Sequence, residues 1–249
     1  EELLDEFEVW YYEQTGCEVE IIYQTFDINE GMLAKIEKGE ADFDVVCPSE
    51  YIIERMMRNN LLQPIVDDEF LADLEETGTE NYLGCVSPYI RDQFDHIITP
   101  DSTLNANDYA VGYMWGTTGI LYNKSYVTEE EASSWALMFD KRLEDKIFVK
   151  DAFRDVYSPM LVYALTVELR EAGVLGAEDT LPLNDAAAME RGLYDYAKGE
   201  ATVPTIEGLM YDASDASIAH VEEYLKRMKR LVAGWEADFG KEMMTQNKA

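Results

Sequence analysis

An α/β fold is predicted by the order of hydrophobic patterns in the first sixty residues. Residues 18–24 alternate between polar and apolar side chains as a half-buried strand does. Residues 29–38 have the spacing of a short amphipathic helix that stops at Gly39. The pattern then predicts a second strand at residues 43–47 and a second helix at residues 49–59. Strand, helix, strand, helix in this order favours parallel pairing with right-handed crossovers.

The remainder of the chain becomes mainly helical after a central segment. Residues 109–123 predict two short strands joined by a turn rich in Gly and Thr, where small residues permit close backbone approach. We expect long helices at residues 152–172, 185–198 and 215–232. A boundary near Gly112 is predicted to separate a first lobe, residues 1–112, from a second, residues 113–249.

Composition and charge limit the classes of function. The chain has 249 residues, of which 47% are hydrophobic, so an ordered globular protein is expected. Asp and Glu number 51 against 20 Lys and Arg, a formal net charge of −31, which repels nucleic acid and anionic membranes and attracts cations. Solubility or salt tolerance is the favoured explanation of this overall acidity, and it is compatible with a cationic ligand. No apolar run approaches the roughly 18 to 20 residues that span a bilayer, and the acidic first residues are unlike a signal peptide.

Neither the cysteines nor the histidines indicate a catalytic or metal site. Cys17, Cys47 and Cys85 are widely spaced and odd in number, without a CxxC pair, so they form no disulfide framework. We expect Cys47 to be buried at the end of a strand. His96 and His220 have no second His or Cys at ligand spacing, which argues against zinc. Because GxSxG, P-loop, GxGxxG and HExxH motifs are absent from the sequence, we expect no enzymatic activity and no cofactor.

A first candidate binding segment follows the second predicted strand. Ser49 and Tyr51, in the sequence Pro-Ser-Glu-Tyr, would stand at the carboxyl end of a parallel strand, where open α/β sheets bind ligands. The serine offers a hydroxyl and the tyrosine an aromatic face with a polar tip. A helix cap and a packed aromatic residue explain the same two side chains, and both interpretations stay open.

A second candidate lies at the start of the helix predicted at 152–172. Asp151 and Asp155 are four residues apart and could hold an ammonium group from one helix face. The alternative is that they are ordinary first-turn acids, which the helix dipole favours. The aromatic segment 113–115 could likewise wall a cleft or receive a cation over its rings, or it could belong to an interlobe core.

Several segments together resemble the spermidine/putrescine-binding family of extracellular solute-binding proteins. They are FDINE (26–30), MLAK (32–35), FDVVCPSEY (43–51), LLQPI (61–65) and YMWGTTGILYNK (113–124). The resemblance implies a two-lobed, type II periplasmic-binding-protein fold. It assigns ligand contacts to Ser49, Tyr51 and Asp155, with Asp151 less directly matched. It also leads us to expect that the family's first strand, and the late part of its chain beyond a motif like DFGK (238–241), fall outside these 249 residues.

The function implied by this resemblance is capture of a polyamine, spermidine or putrescine, between two lobes for an ABC importer. The expected partners are the polyamine and the transporter permease, with no nucleic acid, and the protein is expected to be a monomer. Its expected location is extracytoplasmic, in the periplasm or on the outer face of the membrane, lipid-anchored or fused to a permease. A binding protein for another small organic solute, or a truncated fragment that serves as an interaction surface, remains an alternative.

Overall fold

The structure, a computed structural model, describes residues 2–65, 86–97, 103–237 and 239–246. Helices and strands are mixed along these ranges, which confirms the α/β class. The chain divides into two compact units, Glu1–Ala41 and Asp42–Ala249. The lobe boundary near residue 112 stays a prediction. Cys85, one of the three cysteines, and Asp238, the first residue of the DFGK motif, lie outside the described residues.

The helices and strands follow one another along the described chain. The helices are α1 (Glu2–Thr15), α2 (Asn29–Glu37), α3 (Glu50–Arg58), α4 (Pro88–Asp95), α5 (Glu129–Ala132), α6 (Phe153–Glu171), α7 (Asp185–Glu190), α8 (Ile206–Tyr211), α9 (Asp215–Lys229) and α10 (Gly240–Thr245). The strands are β1 (Ile147–Lys150), β2 (Tyr194–Asp195), β3 (Glu200–Ala201) and β4 (Val232–Glu236). Short 3-10 turns occur at Ala106–Asp108, Trp135–Phe139 and Lys141–Leu143.

The unit Glu1–Ala41 consists of α1, an extended segment and α2. The predicted helix and its stop are confirmed, since Gly39 has a φ of +68° and donates its N–H to the Ile36 carbonyl at 2.9 Å. The strand predicted at 18–24 is wrong, because the segment pairs with no strand among the described residues. The N–H of Ile21 instead donates to Glu8 Oε1 at 2.8 Å. A side-chain oxygen thus accepts the hydrogen bond that the carbonyl of a neighbouring strand would accept in a sheet.

The first part of the unit Asp42–Ala249 is built around α3 and α4. Helix α3 confirms the helix predicted at 49–59 and buries Ile52, Ile53, Met56 and Met57. A small core joins Ile53 and Met57 to Phe94, Ile97 and Ala106. The buried Asn107 amide donates to Asp95 Oδ1 at 2.8 Å and to the Arg91 carbonyl at 3.0 Å. These bonds tie the turn at 106–108 to α4.

Two predicted strand regions of this unit are not strands. Residues 43–47 join no described sheet; Val45 is 86% exposed and Cys47 is exposed, where burial was expected. Residues 109–123 likewise form no strand, and the side chains of Tyr113, Met114 and Trp115 are exposed rather than packed in a core. Alternation of side chains predicts a strand only where a partner strand completes its hydrogen bonds, and here none of the described strands does so.

The main core lies between α6 and α9, beside a parallel strand pair. Helix α6 confirms the helix predicted at 152–172 and buries Tyr157, Leu161 and Ala164 in the cluster that contains Val221 and Met228 of α9. Strand β1 pairs in parallel with β4. The connection between these strands carries α6 to α9, as a parallel crossover requires.

The helix predictions at 185–198 and 215–232 run too long. Helix α7 ends at Glu190, and β2 then pairs with β3 in an antiparallel hairpin. Gly192, with a φ of +70°, has the backbone conformation that ends a helix, and Gly199, with a φ of +72°, lies in the turn between β2 and β3. Helix α9 ends at Lys229, and Val232 opens β4 instead.

Candidate functional site

Asp155 lies in the first turn of α6, just beyond the carboxyl end of β1. Strand β1 ends at Lys150, and Ala152 is extended before the helix begins at Phe153. Ligand sites of open α/β sheets lie outside the carboxyl ends of parallel strands, and the positive end of a helix favours a carboxylate. The exposed side chain of Asp155 borders a cavity of about 710 Å³. The local fold therefore places this carboxylate where a cationic ligand could reach it.

The cavity lies within the unit Asp42–Ala249 and combines aromatic walls with charged groups. One wall is the Thr- and Gly-containing segment 117–123, and another is β1. Its aromatic members are Tyr122, Tyr126, Trp135 and Phe148, and its charged members are Asp155, Glu236, Lys146 and Lys150. Its volume falls in the range of roughly 300 to 1,000 Å³ that small-molecule sites occupy.

Both lysines of the cavity contact groups that also suit an ammonium ligand. Lys150 Nζ lies 3.4 Å from Glu236 Oε1 and also donates to the Ala237 carbonyl. Lys146 Nζ lies 5.6 Å from the centre of the Tyr126 ring. A carboxylate and an aromatic face are the two groups that bind ammonium ions best. The cavity thus already contains two protein cations on cation-binding groups.

Ser49 and Tyr51 stand at the start of α3. Ser49 occupies the N-cap position, but its hydroxyl makes no capping hydrogen bond to the helix. The half-buried ring of Tyr51 lies under the guanidinium of Arg154, with 5.5 Å from Cζ to the ring centre. Arg154 also donates from Nη1 to the Met210 carbonyl at 3.1 Å. The first turn of α6 is therefore in contact with the segment that carries the serine and tyrosine.

The four predicted site residues are only partly brought together. Asp155 borders the cavity, and its neighbour Arg154 contacts Tyr51. Among the described residues that line the cavity, Ser49, Tyr51 and Asp151 do not occur. Asp151 is exposed, and its backbone N–H donates to the Glu236 carbonyl at 2.8 Å. The assignment of these four residues to one ligand site stays a prediction.

A polar network at the end of α8 places a negative charge near Arg154. Asp212 accepts hydrogen bonds from the Ser217 hydroxyl and, at 2.8 Å, from the Ser214 N–H. These bonds, with a smaller contribution from the charge of Arg154, hold the pKa of Asp212 below its ordinary value. Asp212 therefore stays ionised near the guanidinium. Within α6, burial raises the pKa of Tyr157, whose ring stacks on that of Phe153.

Sequence reasoning missed Lys150, Glu236 and the role of Arg154. Lys150 and Glu236 come together because β1 and β4 are adjacent, and neither strand was predicted. The sequence VAGWE at 232–236 was assigned to the end of a helix and the chain after it, although its β-branched and aromatic residues are a strand signal. Arg154 lies between Asp151 and Asp155 in the sequence, and no role was predicted for it.

The part of the chain that the structure describes also bears on metal binding and on membrane spanning. Within it, no three His, Cys, Asp or Glu side chains are grouped so as to hold a metal ion. None of the described helices combines the length and apolar character needed to cross a bilayer.

Comparison with known families decides which kind of protein this is. The family of bacterial extracellular solute-binding proteins matches residues 2–248. The chain belongs to this family. The resemblance inferred from the sequence is confirmed, because several curated relatives are themselves named as spermidine/putrescine-binding or putrescine-binding periplasmic proteins.

Among the relatives of this solute-binding protein are two from Escherichia coli (strain K12). The spermidine/putrescine-binding periplasmic protein is 26% identical over 152 residues, which cover 61% of this chain and 38% of the relative. The putrescine-binding periplasmic protein is 29% identical over 163 residues, covering 61% and 39%. The match therefore spans less than half the length of these curated relatives.

Solved structures agree with the fold of this solute-binding protein. A structure from Listeria monocytogenes, provisionally named as a spermidine/putrescine ABC transporter, has a TM-score of 0.61 at 25% identity and covers 98% of this chain and 56% of its own. The spermidine/putrescine ABC transporter substrate-binding protein of Streptococcus pneumoniae has a TM-score of 0.54 at 22% identity with the same coverage. The fold class predicted from the sequence is confirmed by both.

Proposed function

We propose that this protein captures a polyamine, spermidine or putrescine, and delivers it to the permease of an ABC importer. The observation that carries the proposal is the position of Asp155, a carboxylate on a cavity of about 710 Å³ with aromatic walls. The net charge of −31 favours a cationic ligand over an anionic one. The names of the curated relatives, which specify spermidine and putrescine, support the same ligand class.

Polyamines are methylene chains with ammonium groups, and each part requires a different partner. Removing an ammonium from water without a counter-charge is very costly, and a hydrogen-bonded carboxylate offsets most of that cost. In the proposal Asp155 anchors one ammonium, with Asp151 as a second candidate. Tyr51 packs along the methylenes and Ser49 orients the ligand through its hydroxyl. No bond is made or broken, so the protein acts as a carrier and not as an enzyme.

Delivery requires a location outside the cytoplasm and a state that the permease can recognise. Several of the relatives are named as periplasmic, and we extend that location to this chain, in the periplasm or at the outer face of the membrane. We propose a monomer in which two lobes, residues 1–112 and 113–249, close around the ligand by a hinge motion. The permease would then distinguish the closed, loaded form from the open one.

Calorimetric titration tests this function directly. The protein, as its complete reading frame encodes it, is titrated with putrescine and spermidine, and with 1,4-butanediol as an uncharged control of the same carbon length as putrescine. We expect heat from the polyamines, none from the diol, and an affinity that falls as salt is added. A folded sample that gives no heat with either polyamine removes the assignment. Binding of a different solute that ignores salt would indicate a neutral ligand.

A further inference from the structure

Lys150 and Glu236 form an ion pair inside the cavity that also contains Asp155. The ammonium of Lys150 lies 3.4 Å from Glu236 Oε1 and donates to the Ala237 carbonyl. The Glu236 side chain is 16% exposed and that of Lys150 42% exposed, so the carboxylate is the more enclosed member. The pair joins the end of β1 to the end of β4, at the edge of the sheet beside the first turn of α6.

The carboxylate of Glu236 is also held in place independently of the lysine. Its second oxygen, Oε2, accepts the N–H of Gly240 at 3.0 Å. A Cβ on residue 240 would lie 3.1 Å from that oxygen, so glycine at this position allows the close approach. Loss of the lysine ammonium would therefore leave a positioned carboxylate on the cavity wall.

The lysine side chain has the chemistry of a polyamine end. It is a primary ammonium on four methylenes, and putrescine carries the same group on a chain of the same length. The carboxylate of Glu236 and the carbonyl of Ala237 supply the acceptors that such a group needs. An alkylammonium site is thus present in the cavity, and the protein fills it with a side chain of its own.

We propose that Lys150 is a specificity-determining residue, which occupies an alkylammonium subsite formed by Glu236 and the Ala237 carbonyl. By neutralising this carboxylate, Lys150 limits the number of ligand ammonium groups that the cavity can bind. The selectivity part of this inference rests on the proposed polyamine function; the existence of the subsite does not. Removal of the lysine should therefore favour the ligand with more ammonium groups, spermidine, over putrescine.

Lys229 provides the charge control, because it is exposed in the last turn of α9 and does not line the cavity. Lys229→Ala lowers the positive charge by one and leaves every group on the cavity wall in place. Lys146 would not serve, because its loss would uncover the Tyr126 ring, which is itself a cation-binding group. An effect seen with Lys150→Ala and not with Lys229→Ala belongs to the subsite rather than to the overall charge.

The experiment has a probe arm that uses n-butylammonium. Melting temperatures of wild type, Lys150→Ala, Lys229→Ala and Lys150→Ala/Glu236→Gln are measured with n-butylammonium chloride and with tetramethylammonium chloride at the same concentration. We expect n-butylammonium to raise the melting temperature of Lys150→Ala more than that of the other three proteins, because only that variant adds an empty subsite with a carboxylate to the Asp155 site that all four share. Equal effects of the two salts on Lys150→Ala, or the same rise in the double variant, would overturn the subsite.

A selectivity arm compares putrescine with spermidine by calorimetry. Lys150→Ala should shift the ratio of their dissociation constants toward spermidine by about tenfold, the scale of one charged hydrogen bond, and Lys229→Ala should leave the ratio unchanged. An unchanged ratio in Lys150→Ala overturns the role in specificity. If that variant does not fold, Lys150→Gln, which keeps most of the stem and removes the charge, serves the same comparison. A wild type that binds neither polyamine rejects the proposed function, and the n-butylammonium arm then still decides on the subsite.

Discussion

The guanidinium carbon of Arg154 lies 5.5 Å from the centre of the Tyr51 ring. This contact joins the first turn of α6 to the first turn of α3, two segments far apart in the sequence that were each predicted to bind ligand. The arginine is held from its other side by the Met210 carbonyl. The Tyr51 face nearest to α6 is thus occupied by a protein cation. We therefore expect the tyrosine ring to contact the methylenes of a ligand and not its ammonium group.

The Arg154–Tyr51 contact should be measurable as a coupling energy. Arg154→Met and Tyr51→Leu should each lower the free energy of unfolding, and a double-mutant cycle should give a coupling of about 0.5 to 1 kcal/mol, the size of a partly exposed cation–π pair. Urea denaturation of the four proteins measures it. The control is a second cycle that pairs Tyr51→Leu with Arg230→Met, a change at an exposed arginine, in which the two effects should be additive. Additive effects of Arg154→Met and Tyr51→Leu would show that the contact does not form in solution.

Asp155→Asn should weaken polyamine binding by at least about 1.5 kcal/mol, because a charged hydrogen bond to the ligand ammonium is lost. Calorimetry of the variant with spermidine and putrescine measures this loss, which corresponds to more than about tenfold in dissociation constant. Glu178→Gln, at another exposed acid, removes the same charge away from the cavity and should leave affinity unchanged. Wild-type affinity in a folded Asp155→Asn protein would place the ligand elsewhere, and Asp151→Asn would be tried next.

Gly112→Ala should destabilise the protein by about 1 to 3 kcal/mol, the usual cost of overpacking. A Cβ at this position would lie only 2.1 Å from Ile90 Cγ2, so the two segments must move apart. Gly116→Ala is a matched control, since a Cβ there meets nothing within 4 Å. The midpoints of urea unfolding measure both changes. Equal stability of the two variants would contradict the close packing of residue 112 on α4.

The pKa of Asp95 gives a prediction about acid stability. Hydrogen bonds from the Asn105 and Asn107 amides hold this pKa below its ordinary value of 3.8. The stability that they contribute is therefore fully present above about pH 4 and is lost as the pH falls through the lower, folded value. Asn107→Ala should raise the pKa of Asp95, and carboxyl chemical shifts followed by NMR measure it.

Asp140 is the internal control for that titration. Its pKa is lowered by hydrogen bonds from Arg142, which lie outside the Asn107 network, so it should not change in Asn107→Ala. The variant should also lose about 1 to 3 kcal/mol of stability at neutral pH, because the amide is buried and its partners lose a donor. An Asp95 pKa that does not respond would mean that the bond from Asn107 is not made.

Helices were predicted from the sequence more reliably than strands because their signals are local. The spacing of buried residues in α3 and α6, and the glycine at position 39 with positive φ, act within a few residues of the helix that they define. The strand predicted at 18–24 failed because its hydrogen bonds depend on residues elsewhere, and Glu8 takes one of them. Local alternation carries no information about that competition.

The candidate site was predictable in part for the same reason. Asp155 could be placed on the first turn of a helix from the sequence alone, and the structure puts it there. The Lys150 contact with Ala237 joins residues 87 positions apart, through a parallel strand pair whose partners were not identified. Residues that meet through sheet pairing require the topology to be known first, so this half of the cavity could not be derived from motifs.

A crystal structure of the protein with bound spermidine would show whether Asp155 anchors the ligand. We expect an ammonium nitrogen within hydrogen-bonding distance, about 2.7 to 3.2 Å, of the Asp155 carboxylate, with methylenes against the Tyr51 ring. Spermidine bound with no nitrogen near Asp155, or a saturated crystal with no polyamine in the cavity, would contradict this expectation.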